Sequence, residues 1–193
     1  MRKNISEKKN LRKILSKKRD FIKHNCKSEF SIIAFNKLID SIDFYVIKNV
    51  GSFVSIRSEI STILLNKKII DLSKTLSFPK IENNSNELVF KKFFSNQNLK
   101  LGKFNIPEPP QESSEVFPEL FFVPCLGFDL NGFRIGYGGG FYDKTFAKLK
   151  QINHKFYTVG FAFDDQKVDK LPIEKFDYKL DFVLTEKQLY TFI

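Results

Sequence analysis

Phe128-Asp129-Leu130-Asn131-Gly132-Phe133-Arg134-Ile135-Gly136-Tyr137-Gly138-Gly139-Gly140-Phe141-Tyr142-Asp143-Lys144 joins a predicted strand to a predicted helix and sets four glycines within five positions. Glycine tolerates φ > 0 and lets a ligand approach the backbone closely. Successive N–H groups running into a helix N-terminus form an anion site. Arg134 carries the planar, two-donor chemistry that suits a phosphate. Asp143 offers the hard oxygen that suits Mg²⁺. Neither standard phosphate motif is present. The P-loop needs Gly followed directly by Lys and Ser/Thr, whereas Asp143 precedes Lys144-Thr145 here. The dinucleotide pattern G-x-G-x-x-G fails because Phe141 stands at its last glycine. Pattern alone leaves two readings open, an anion cradle or an ordinary glycine-rich turn. Asp143 is likewise either a metal ligand or a first-turn acid of the helix.

Outward from this loop, short apolar runs alternate with amphipathic segments. Residues 6–25 read as a helix with Ser6 as N-cap and an apolar stripe of Leu11, Ile14, Leu15, Phe21 and Ile22. Residues 29–47 read as a second helix, with Phe30, Ile33, Leu38, Ile39 and Ile42 on one face, and 60–72 as a third. Strands are expected at 50–56, 75–81 (ending at Pro79), 120–123, 156–163 and 182–185, the last followed by a terminal polar turn. The stretch 82–114 holds the patch Asn83-Asn84-Ser85-Asn86, a strand-like run at 88–94 and a loop with Pro107, Pro109 and Pro110. A helix is expected to start at Asp143 and run to Lys150. Strands separated by helices predict an α/β fold, a mainly parallel sheet in a three-layer α/β/α arrangement.

The 193 residues suit one domain spanning 1–193, with 42% hydrophobic residues and a formal charge of +10. That charge is compatible with nucleic-acid binding, but the basic residues are scattered, and composition with small anionic ligands is the preferred reading. Neither a membrane-spanning run nor a secretory signal is expected. Glu7 and Asp20 argue against a basic transit peptide. Cys26 and Cys125 are far apart and outside any metal-type pair, as in a reducing cytoplasm. His24 and His154 receive no role.

The string from Phe128-Asp129 through Gly132-x-Arg134-Ile135-Gly136-x-Gly138-x-Gly140-Phe141-Tyr142-Asp143 closely resembles the signature of the 5-formyltetrahydrofolate cyclo-ligase family. Further segments resemble the family in order along nearly the whole chain. They are Lys8-Lys9-x-Leu11-Arg12, Phe53-Val54-Ser55 with Glu59-Ile60, Phe104 to Pro109, Val159 to Phe163, Leu171-Pro172, and Asp177 with Asp181-x-Val183. The resemblance implies a fold like that of ribose-5-phosphate isomerases and CoA transferases. It implies cyclisation of 5-formyltetrahydrofolate to 5,10-methenyltetrahydrofolate, with ATP as co-substrate and Mg²⁺ as cofactor. ATP would then be held by Lys8, Lys9, Arg12, and the run Arg134, Ile135, Gly136, Tyr137, Gly138, Gly139, Gly140, Phe141 and Tyr142. Arg134 and Asp143 would act in catalysis, and Asp143 and Asp177 would hold the metal. Val54, Glu59, Phe104 and Tyr137 would face the folate, with or without a polyglutamate tail. A cytoplasmic monomer binding neither nucleic acid nor membrane is the matching expectation. Four positions depart from the usual pattern: Tyr137 and Gly139, where many relatives carry a basic residue at one or the other, Phe176, where bacterial relatives often have His, and Phe104, where Trp occurs in some relatives. The alternatives are a same-fold protein acting on another phosphorylated ligand and a non-enzymatic RNA binder.

Overall fold

The computed structural model describes residues 2–26, 28–82, 85–95 and 98–193, residues 2–5 by backbone alone. Asn83 and Asn84 of the polar patch lie outside the described residues. Four α-helices are present among these residues: α1 Arg2–Asn25, α2 Ile32–Ser41, α3 Ile63–Asp71 and α4 Phe141–Gln151. The central sheet is built from β1 Asn49–Gly51, β2 Thr75–Ile81, β3 Leu88–Lys92, β4 Glu115–Val116, β5 Leu120–Pro124, β6 Tyr157–Phe161, β7 Phe182–Leu184 and β8 Leu189–Thr191. Their order is β8-β7-β6-β5-β1-β2-β3-β4. The five inner strands β7, β6, β5, β1 and β2 run parallel, and the edge strands β3, β4 and β8 pair antiparallel.

The middle of the sheet shows why these residues form strands. Leu120, Phe121, Phe122 and Val123 are all fully buried in β5, which has neighbours on both edges and helices on both faces. Side chains alternate across a strand. Leu120 and Phe122 therefore pack with Phe35 and Leu38 of α2 and Leu65 and Ile69 of α3. Phe121 and Val123 pack with Phe146 and Leu149 of α4 on the other face. The result is three layers, helix, sheet and helix. Truncating a buried Phe such as Phe122 to Ala would cost about 3–5 kcal/mol through lost burial and an unfilled cavity.

Several expected boundaries shift for identifiable reasons. The run 50–56 is not one strand. After Gly51 only the Ser52 amide still bonds the sheet, donating to the Ser77 carbonyl at 2.9 Å, and the chain then turns away. Val54 and Ile56 are apolar because they line a cleft, not because they sit in a sheet. The second helix spans Ile32–Ser41 alone, opened by Ser31, whose hydroxyl accepts from the Ala34 amide at 3.2 Å. Pro79 does not end β2, which continues to Ile81. The expected terminal polar turn is a hairpin, in which the Thr185 amide donates to the Gln188 carbonyl and β8 follows.

The apolar stripe assigned to α1 also needs correction. Ile14 and Phe21 are exposed, at 54% and 71%. The inward face instead carries Lys8, Arg12, Leu15, Arg19 and Ile22, which recur at helical spacing. In α2, Ile33 of the assigned face is likewise 70% exposed, while Leu38 and Ile42 are buried.

Candidate functional site

Ligands of open parallel sheets bind beyond the carboxyl ends of the strands, where the connecting loops diverge. Here the loops leaving β1 and β5 and the end of β2 meet the inward face of α1. Together they enclose a cleft of about 570 Å³. Residues of the glycine loop, 134–143, form its longest continuous wall.

The wall is built by a short hairpin. Gly127–Asp129 pairs antiparallel with Arg134–Ile135. The fully buried Asp129 closes the turn, its Oδ1 accepting from the amides of Asn131 and Phe133 at 3.0 Å each. Its Oδ2 accepts from the Leu171 amide at 3.1 Å, which anchors the hairpin to the C-terminal segment. Arg134 thus leaves a rigid turn and reaches the cleft. The chain then needs glycine at two positions. Gly138 has φ +102, and a Cβ there would lie 3.2 Å from Cζ of Arg12. Gly140 has φ +66 and stands at the N-cap of α4, without a side chain to compete for the free N–H groups.

Cations and acids are paired across the cleft. Arg134 Nη1 donates to Asp143 Oδ1 at 2.9 Å, and the same oxygen accepts from the Tyr178 amide at 3.1 Å. Among the described residues, Arg134 Nε is buried with no hydrogen-bond partner, as is the Tyr142 hydroxyl. Buried donors without partners are uncommon and mark places where a ligand can supply the missing acceptor. Lys8, only 6% exposed, bonds Glu174 at 2.8 Å and Asp177 at 2.6 Å. Arg12 Nε donates to the Gly136 carbonyl at 2.9 Å. On the facing side, the loop after β1 supplies Glu59, 4% exposed, whose Oε2 accepts from the Ile56 amide and whose Oε1 accepts from the Tyr137 hydroxyl at 2.9 Å. Burial raises the Glu59 carboxyl above its usual range, against the hydrogen bond from Ile56 and the charge of Arg19. The Tyr137 phenol is pushed up to about 12, first by burial and then by the Glu59 carboxylate.

The 5-formyltetrahydrofolate cyclo-ligase family model matches residues 4–186. The chain belongs to that family. A 5-formyltetrahydrofolate cyclo-ligase of Haemophilus influenzae is 32% identical over 71% of this chain and 75% of its own length. The cyclo-ligase of Escherichia coli K12 is 30% identical over 73% and 79%. Among solved structures, the 5,10-methenyltetrahydrofolate synthetase of Aquifex aeolicus is 28% identical, with TM-score 0.75, covering 96% of this chain and 92% of that one. A synthetase from Mycoplasma pneumoniae, at 21% identity and TM-score 0.65, shares the fold. This cyclo-ligase family member is therefore an enzyme on an α/β fold whose central sheet is mainly parallel.

Of the residues picked out from sequence, the fold brings Lys8, Arg12, Val54, Glu59, Phe104, the run Arg134 to Asp143, and Asp177 into one cleft. Lys9 is the exception: it is exposed on α1 and does not line the cleft. Phe104, with φ +62, holds its ring 6.4 Å from that of Phe141. Three cleft groups and one residue behind them were not foreseen. Arg57 stands over the Tyr137 ring at 5.7 Å, Glu108 is buried beside Lys80, Glu174 shares Lys8, and Arg19 lies behind the wall, outside the cleft lining. Only Arg19 left a usable signal, seven residues after Arg12 and so on the same helical face.

Magnesium needs hard oxygen ligands and accepts one or two carboxylates alongside phosphate and water. Among the described residues, no preformed group of three or more acidic, His or Cys side chains is present. Asp143 and Asp177 each use one oxygen in an ion pair and, among the described residues, keep the other without an ion pair or hydrogen bond. That donor set fits a magnesium ion carried in with a nucleotide. No helix among the described residues is long and apolar enough to cross a membrane.

Proposed function

We propose that this chain converts 5-formyltetrahydrofolate to 5,10-methenyltetrahydrofolate with ATP, releasing ADP and phosphate. The formyl carbon on nitrogen-5 is an amide carbon and a poor electrophile. Transfer of the γ-phosphoryl group to the formyl oxygen turns that oxygen into a leaving group. The nitrogen-10 lone pair then attacks the carbon, its proton is lost, and the C–O bond breaks as phosphate departs. Catalysis of phosphoryl transfer is chiefly positioning and charge neutralisation.

The observation that carries this reading is that one cleft brings two chemistries together. Its lining holds the glycine loop from Gly136 to Gly140, together with Arg12, Lys8 and Arg134, whose Nε has no hydrogen-bond partner among the described residues. That set matches a triphosphate. Glu59, Val54 and Phe104 line the same cleft, and they match a flat ring bearing N–H donors. Asp143 and Asp177 would hold Mg²⁺, which supplies charge neutralisation on the phosphates. Arg134 and Lys8, paired here with Asp143, Asp177 and Glu174, would neutralise the phosphates, and Asp143 and Asp177 would offer the metal their carboxylate oxygens.

The inward turn of Lys8, Arg12 and Arg19 does not favour the RNA-binding alternative. It takes three cations from the surface that reading needs. The test is methenyl product formation by the purified chain. Turnover is expected only with ATP and magnesium both present. ATP hydrolysis that ignores 5-formyltetrahydrofolate would instead support another ligand.

A further inference from the structure

Arg19 heads the fully buried side chains of the described residues by size, at 1% exposure, and the proposed reaction gives it no task. A guanidinium out of water is costly unless its donors are satisfied. Its Nη2 donates to the Tyr137 hydroxyl oxygen at 2.6 Å, Nε to Ser58 Oγ at 3.2 Å, and Nη1 to the Cys125 carbonyl at 3.3 Å. Nη1 also lies 3.7 Å from Glu59 Oε1. The Tyr137 hydroxyl, having accepted from Arg19, donates on to that same Glu59 oxygen at 2.9 Å. One side chain of α1 therefore ties together the loop after β1, the end of β5 and the glycine loop. Chains of hydrogen bonds in a dry setting polarise one another.

We infer that Arg19 is a positioning residue: it holds the Tyr137 hydroxyl and the Glu59 carboxylate as one unit and so sets how the folate is gripped, an inference that rests on the folate reading of this cleft. Arg19 touches neither cleft contents nor phosphate; it is absent from the cleft lining, whereas Tyr137 and Glu59 line it. Charged and titratable groups facing Glu59 come from each neighbouring element. They are Arg19 on α1, Asp20 through Ser58, Arg57 on the same loop, Tyr137 and Tyr142 on the glycine loop, and Cys125 after β5. Tyr137 and Cys125 are both pushed up to about 12 and Tyr142 is raised as well, so these three stay neutral through the working range. Arg19 and Arg57 are then the cations that, after the hydrogen bond from Ile56, oppose the rise that burial imposes on the Glu59 carboxyl.

The experiment compares the full-length chain with Tyr137→Phe, Arg19→Gln, Arg19→Lys and the double variant Arg19→Gln/Tyr137→Phe. It measures KM for ATP, KM for 5-formyltetrahydrofolate, and kcat/KM against pH. Tyr137→Phe should raise the folate KM at least about tenfold, the scale of one lost hydrogen bond to a charged group, and leave the ATP KM within about twofold. Arg19→Gln should do the same and move the acid limb of kcat/KM up by at least about half a pH unit, because a carboxylate deprived of its cation takes a proton sooner. Arg19→Lys, which keeps the charge but loses the fork, should restore the acid limb and not the KM. The double variant should be no worse than Arg19→Gln, since groups in one network do not add. Additive effects, or an unmoved acid limb in Arg19→Gln, would overturn the inference. If Arg19→Gln fails to fold, Tyr137→Phe decides alone, because an unchanged folate KM there removes the unit. No turnover by the unaltered chain would sink the proposed reaction and this inference with it. Turnover with an unchanged Tyr137→Phe sinks the inference only.

Discussion

Gly138→Ala tests whether the glycine loop is a built cradle or an ordinary turn. The residue has φ +102, where an L side chain is strained by about 1–3 kcal/mol. The new methyl would lie 3.2 Å from Cζ and 3.3 Å from Nε of Arg12, tighter than carbon normally packs. Arg12 must withdraw, and the 2.9 Å bond from its Nε to the Gly136 carbonyl weakens. A hydrogen bond from a charged donor contributes about 1.5–3 kcal/mol, of which a partial loss is expected here. The sum is about 2–4 kcal/mol. For a chain of this size that lowers the melting temperature by about 4–16 °C, at roughly 2–4 °C per kcal/mol. Gly136→Ala is the internal control, because nothing lies within 4 Å of its added Cβ. It should melt within about 1 °C of the unaltered chain, the usual span for a change that meets no neighbour. The assay is thermal unfolding followed by circular dichroism, with the KM for ATP measured in parallel. That KM should rise at least about tenfold in Gly138→Ala, since small misplacements of positioning groups are costly. Equal melting temperatures for the two variants would refute the argument that Gly138 and Arg12 are packed against each other by design of the loop.

Lys8 and Lys9 are adjacent in sequence and separate cleanly in the fold. Lys8→Ala should raise the KM for ATP at least about fivefold and lower the melting temperature, because Glu174 and Asp177 lose their shared cation. Lys9→Ala should change either value by less than the scatter of an exposed side chain; equal effects in both variants would contradict the placement. Arg134→Ala and Asp143→Ala should each lower turnover by at least about 10²-fold, the scale for losing a preorganised charge contact. Both should retain the circular dichroism spectrum of the unaltered chain, and full activity in either would remove that residue from the machinery. Glu59→Gln keeps the size and loses the charge. It should raise the folate KM about tenfold and abolish the acid limb that the raised Glu59 carboxyl otherwise imposes.

The sequence was informative where one physical cause dominated. Burial on both faces made Leu120 to Val123 legible as a strand, and the glycine density made the loop legible as special. It was less informative where two causes shared one residue type. Val54 and Ile56 look like strand residues because a cleft lining and a sheet interior both call for apolar, β-branched side chains. The face of α1 was misassigned because apolar periodicity ignores arginine and lysine. In this fold the inward positions 8, 12 and 19 are cationic, and Ile14 and Phe21 face out. No local pattern announces that a buried Arg19 reaches Tyr137, 118 residues along the chain. That contact exists only once α1 lies across the ends of β1 and β5. The glycine loop's partner across the cleft, Glu59, became legible through resemblance and not through spacing.

The most direct test is a crystal structure of the chain with a non-hydrolysable ATP analogue, magnesium and 5-formyltetrahydrofolate. The account predicts the phosphates against the amides of Gly136 to Gly140 and the Nε of Arg134, with the pterin on the Glu59 and Phe104 side of the same cleft. A triphosphate bound elsewhere, or a glycine loop folded shut over an empty cleft, would contradict it.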